Sequence, residues 1–376
     1  MPPWPADRGY RSFAGERGLS GWEKTMIARW IAQGAAEGAP GLLPALPNFE
    51  AKRPLGEPDA IVHLKDTVHI AGNNEDLFLY IKVPFELERD TFLRAIEFVP
   101  GNRRLLHHMN GNLINYDPPK KKDHWQGATM INPDTTATFG AYQHMQLAND
   151  DGSFPALTPS AVNYLPGVEA AAYPNGIGGF HISRKGAFLV KTMHYGPSAI
   201  DTFDVSSFRL YFAAAPPERP LREIQMGTLG ETSVVPKFVI PADSIVHFIT
   251  RYHVKEDLSL LTINPHMHLL GKDFKAYALT PQQDTIPLIF IPQWDFRWQY
   301  FYTFKQMLKI PKGSTIHAEA TFDNTAENPH QPFSPPRTLT TPLGDMKTTD
   351  EMFQFFISYL PYQPGDEAIL LEAEVK

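Results

Sequence analysis

Asn264-Pro265-His266-Met267-His268-Leu269-Leu270-Gly271-Lys272-Asp273-Phe274 is the stretch whose reading decides the fold. It continues as Lys275-Ala276-Tyr277-Ala278-Leu279, an apolar–polar alternation that suits a half-buried strand. Side chains two apart on an extended backbone point the same way. His266 and His268 therefore present two imidazoles to one side, with Met267 turned into the opposite layer. Gly271 permits the bend between them and the strand that follows. The pair is weak alone: with 14 His in 376 residues, chance supplies one in roughly every second chain of this composition. The adjacent pair His107-His108 is no rarer, so weight comes only from how such pairs are arranged.

Composition narrows the setting. The chain is 43% hydrophobic and 20% charged, with 35 Pro, 25 Phe and 14 Tyr, which predicts a globular chain with room for two cores. Long helical periods are scarce, and the reading is all-β: two antiparallel jelly-roll-like β-sandwich domains side by side, with a short N-terminal helical segment. A net charge of −7 argues against a nucleic-acid partner. The one basic run, Lys120-Lys121-Lys122, reads as a solvated loop. Cysteine is absent, so disulfides, iron–sulfur clusters and thiolate-bound copper are excluded, and any metal falls to His, Met and carboxylates. No apolar run reaches the length of a membrane span.

Four regions follow in order. Residues 1–38 carry one helix, with a Ser20/Glu23 capping box, an apolar face of Trp22, Met26, Ile27, Trp30 and Ile31, and Gly34 as its stop. That face needs something to pack against. Residues 39–58, with five prolines, read as a linker. Residues 59–215 read as a first sandwich, with strands near Ile61–Leu64, Leu77–Val83, Phe92–Phe98, Gly186–Gly196 and Ser206–Phe212. Its polar stretch from about Tyr116 to Asn163 reads as a long functional loop. After Pro216-Pro217-Glu218-Arg219-Pro220, residues 216–376 read as a second sandwich. Adjacent His107 and His108 cannot both point one way on a regular strand, so they need a bulge, a strand end, or ligation through different ring nitrogens.

His107-His108, then Met193-His194-Tyr195-Gly196, then His266-Met267-His268-Leu269-Leu270-Gly271, then Asp350-Glu351-Met352 occur in that order. In this, residues 59 to 362 resemble the copper type II, ascorbate-dependent monooxygenases, the family of peptidylglycine α-hydroxylating monooxygenase and dopamine β-monooxygenase. The resemblance implies two copper ions per chain. An electron-transfer copper would lie on His107, His108 and His194. The copper that meets dioxygen and substrate would lie on His266, His268 and Met352, across a solvent-filled cleft. Those last three residues would be catalytic. It further implies hydroxylation of a substrate C–H bond by O2, with two electrons from ascorbate or another one-electron reductant. Neutral imidazoles suit copper in both oxidation states, and a thioether favours Cu(I). Of the other histidines, His144 and His181 are the next candidates as ligands.

The family's peptide-hydroxylating members carry an arginine where Asn264 stands. Their asparagine and tyrosine after the ligand methionine align with Gln354 and Phe356. Asn264, Gln354 and Phe356 thus become candidate substrate residues, for a small-molecule substrate less charged than a peptide glycine. Residues 1–38 resemble the end of a c-type cytochrome domain, with Met1 at the axial position. The Cys-x-x-Cys-His attachment is missing, so no haem is assigned, and a cytochrome-type electron donor is a candidate partner. Both resemblances imply a periplasmic or secreted location, although no leader is visible. The alternatives are a non-catalytic copper-binding protein and a jelly-roll binding module with structural histidines.

Overall fold

A computed structural model describes residues 4–16, 18–43, 45, 55–133, 138–165, 170, 176–341 and 349–371. The chain is all-β, built from antiparallel sheets facing one another in pairs. In the first half a five-stranded sheet runs in the order Met130–Ile131, Leu77–Glu86, Lys185–Tyr195, Leu106–Asn115, Ala156–Tyr164. Opposite it lie Ala60–His63, Ser207–Phe212, Thr91–Val99 and Phe180–Ile182. Val83, Phe85 and Phe188 from one sheet meet Leu93, Phe98, Phe208 and Leu210 from the other. Phe188 and Phe208 stack with ring centroids 4.3 Å apart. Alternating β-branched and aromatic side chains make this burial possible on a pleated surface.

The second half repeats the scheme with its own core. Arg222–Gly227, Gln354–Pro361, Leu258–His266 and Tyr302–Ile310 form one sheet. Val234–Val235, Ile245–His253, Thr315–Asp323, Gly271–Leu279 and Thr285–Ile291 form the other. Leu260, Ile263, Phe355 and Ile357 pack against Phe248, Phe274, Ala276 and Phe322. At the start of this half Arg219 grips Asp366 through both guanidinium arms, at 2.6 and 2.8 Å, and donates to the Pro361 carbonyl. Ser259 also donates to that carboxylate, which holds Asp366 down to about 2, chiefly through the Arg219 hydrogen bonds.

Three expectations change. The stretch from Tyr116 to Asn163 is no open loop: it carries Met130–Ile131, a helix at Thr138–His144 and the start of Ala156–Tyr164. Ala141, Met145 and Leu147 cover the outer face of the five-stranded sheet, against Tyr80, Ile114, Ala187 and Leu189. Leu77–Glu86 is consequently buried on both faces over most of its length. Lys121 is not solvated either. Its ammonium donates to the Gln146 and Ala148 carbonyls, while Lys82 donates to those of Gln126 and Met145. Carbonyls left without partners by the turns around the helix explain why two lysines are worth burying there. Desolvation first, then the charge of Lys121, lowers Lys82 to about 8.

The N-terminal helix, Gly21–Ala32, forms with its Ser20/Glu23 capping box, yet none of its residues is buried. What docks is the arm before it. Phe13 is fully buried in the second core and bridges Phe304, and Asp7 N–H donates to the Phe290 carbonyl at 2.7 Å. Of the expected linker, Pro40–Leu42 form a single 3-10 turn. Most of the rest, with Met1, lies outside the described residues.

Candidate metal centres

The first histidine cluster is a product of strand register. Leu106 pairs with Tyr195 and His108 with His194, and the shift between them puts His107 in a bulge, one of the arrangements open to adjacent histidines. His194 also pairs with Phe78 on the other side, and the two rings stack at 4.2 Å. His107, His108 and His194 each offer one ring nitrogen, and these three atoms lie within 4.8 Å of one another, close enough to hold one metal ion. Nδ1 of His108 is 3.1 Å from Nδ1 of His107 and 3.4 Å from Nδ1 of His194. His194 donates its Nε2–H to Asp76 at 2.6 Å, which leaves its Nδ1 a lone pair aimed at the others.

One proton can bridge only one of these nitrogen pairs, whereas a single cation takes all three lone pairs. Burial also favours the neutral form of all three imidazoles. Burial lowers His107 and His194, and it lowers His108 furthest, with the charges of His194, His107, His266 and His268 adding to it. A neutral, nitrogen-only, convergent set fits copper in either oxidation state.

The second cluster is held by loops around one strand end. Leu258–His266 closes with His266, half-buried, and Met267 turns wholly into the core. The His266 and His268 rings sit 5.1 Å apart, nearly perpendicular. His266 donates Nδ1–H to the Gln299 side-chain oxygen, and His268 donates Nδ1–H to the Asp350 carbonyl at 2.8 Å. Both therefore offer Nε2 as the ligating nitrogen. Burial, then the neighbouring His268, lowers His266 to about 3.

Two features hold the backbone at Met352 near that of His268. His266 lies opposite Gln354, and two residues beyond that pair the chain carries His268 on one side and Met352 on the other. The buried Glu351 carboxylate collects the backbone N–H groups of His268, Leu270 and Met352. Burial pushes Glu351 up to about 8, against the pull of those three amides.

The remaining sequence candidates fall as follows. Asn264 and Phe356 are paired, as are His266 and Gln354, so all four share the sheet face opposite to Ile263 and Phe355. Asn264 donates to the Tyr300 carbonyl and Gln354 to that of Thr228, which braces both amides. His144 and His181 are exposed, and neither joins the first cluster. Sequence reasoning missed Asp76, Gln299 and Phe296, which sit in unremarkable loops. Glu351 stood out no better, following Asp350 at the head of an apolar run.

Phe296 lies between the clusters, its ring 6.0 Å from His107 and 5.5 Å from His268. An aromatic ring, rather than open solvent, occupies this part of the expected cleft. A cavity of about 240 Å³ adjoins it, lined by Leu269, Trp294, Phe296, Arg297 and His330 among others. A second, of about 330 Å³, is walled by Trp4, Trp294, Trp298 and His330. Among the described residues no helix is long and apolar enough to cross a membrane.

No curated protein matches the chain. Among solved structures, the infectious bursal disease virus VP2 subviral particle is 8% identical, with 84% of this chain and 74% of that one covered at a TM-score of 0.20. PNGF-II is 10% identical, with 80% and 65% covered at a TM-score of 0.21. Overlaps that loose carry no argument. The sequence of the second half is more telling: residues 227–369, which hold His266, His268 and Met352, match the family model of the copper type II ascorbate-dependent monooxygenase, C-terminal domain.

Proposed function

We propose that this protein is a copper-dependent monooxygenase that hydroxylates a substrate C–H bond, using O2, two external electrons and two separate mononuclear copper sites. The observation that carries the reading is the pairing of two histidine clusters. The one in the family-matched half has its imidazoles oriented by Gln299 and Asp350, and Glu351 ties the backbone N–H groups of His268 and Met352 together. The functional division is 59–215 for the electron-transfer site and 216–376 for the oxygen and substrate site.

His107, His108 and His194 hold the first ion, and His266, His268 and Met352 the second. Copper, when bound, supplies one-electron chemistry and activation of dioxygen. The residues do the rest. Asp76 fixes the His194 tautomer, while Gln299 and the Asp350 carbonyl occupy both Nδ1 atoms of the second cluster and leave its Nε2 atoms free to bind metal. Asn264, Gln354 and Phe356 share a face with His266 and are the proposed substrate contacts; none is cationic, so an uncharged or weakly polar substrate fits. We assign the enzyme to the periplasm or the exterior, with ascorbate or a cytochrome-type protein as donor.

Copper titration of the apoprotein, followed by EPR, tests this. Two equivalents should bind with distinct signals, His108→Ala should lose one, and Met352→Ala should abolish ascorbate-dependent hydroxylation while the first signal stays. Copper uptake without ascorbate-dependent oxygen consumption on any substrate would leave a carrier instead. A protein that takes up no copper would be a binding module.

A further inference from the structure

One short loop, Trp294 to Gln299, reaches both clusters. The Trp294 indole donates to the His268 carbonyl at 3.0 Å, and Gln299 accepts from His266. The same Gln299 amide donates to the Phe296 carbonyl at 2.9 Å, so one side chain fixes His266 and the backbone of Phe296 together. On either side of Phe296, Asp295 and Arg297 clamp each other at 2.6 and 2.9 Å. The Phe296 ring is thus held against two imidazoles, near-parallel to His107 at 22° and edge-on to His268 at 69°. His107 and His268 come from different sandwiches.

We propose that Phe296 is a positioning residue that sets the separation of the two metal centres and carries the electronic contact between them. The inference rests on the two-centre reading above. A phenyl ring offers no ligand atom, so it keeps the two centres apart without joining either donor set. It also replaces water with packed, polarisable π contact on both imidazoles. The transfer it serves is one electron: the first centre is oxidised by one and the second reduced by one. A one-electron reductant of the ascorbate class restores the first, and no bond to Phe296 forms or breaks.

The test uses the full chain loaded with copper, as the parent protein and as Phe296→Ala, Phe296→Leu and Phe296→Trp. Three quantities are read: copper per chain, the dipolar coupling between the two Cu(II) spins, and the rate at which one electron redistributes after flash reduction. All four proteins should hold two coppers. Phe296→Ala should shift or broaden the dipolar distance and slow redistribution severalfold, because tunnelling decays exponentially with the length and looseness of the path. Phe296→Leu should slow it with a smaller change in distance, and Phe296→Trp should restore it. Two coppers with an unchanged dipolar spectrum and rate in Phe296→Ala would overturn the proposal. If that variant does not fold, an unchanged rate in Phe296→Leu would do the same. Fewer than two coppers in the parent would instead remove the two-centre reading itself.

Discussion

The two histidine clusters are built in opposite ways. In the first, the histidines stand on paired strands, and a bulge turns His107 in beside His108. Here the sheet itself does the positioning, and a single carboxylate, Asp76, trims one tautomer. In the second, only His266 stands at a strand end. His268 and Met352 sit on connecting segments that would wander without the Glu351 carboxylate, the Asp350 carbonyl and Gln299. A sheet-borne site resists loss of its accessory groups, whereas a loop-borne site depends on them.

Glu351 gives the widest split. Glu351→Ala orphans three buried amides at once, and we expect a loss of about 3–5 kcal/mol in denaturant unfolding. Copper should leave the second centre and stay at the first; loss from both would mean the clusters are not independent.

Crossed variants sharpen the contrast. Asp76→Ala should weaken copper at the first centre by about 10-fold, and Gln299→Ala at the second by about 100-fold, in titrations followed by EPR. The contrast fails if Gln299→Ala is the milder of the two.

Acid unfolding probes what anchors the second sandwich. Asp366 is held below its unfolded value, so its contribution is present above about pH 4 and lost as pH falls through about 2, a drain of about 2 kcal/mol. Arg219→Ala should flatten that part of the stability profile; an unchanged profile would refute the assignment.

The smallest effect belongs to the helix. Trp22 is 71% exposed, so Trp22→Ala should alter the stability of this chain by no more than about 0.5 kcal/mol by thermal or denaturant melt.

Local patterns alone were enough for the all-β architecture and the capped helix, and they left a bulge at His107-His108 as one option. Strand period, capping chemistry and the geometry of adjacent side chains are all written in neighbouring residues. The six candidate ligands needed more than local pattern: they were named through the family resemblance that four short motifs in order carry. Tertiary structure alone decided that Lys121 would be buried, that an arm through Phe13 would dock while the helix stayed exposed, and that Asp76, Gln299 and Glu351 would orient the clusters. Phe296 and His107 are almost two hundred positions apart, and no local period records that kind of meeting. Only the packing of one sandwich against the other brings a ring from one loop between imidazoles of both.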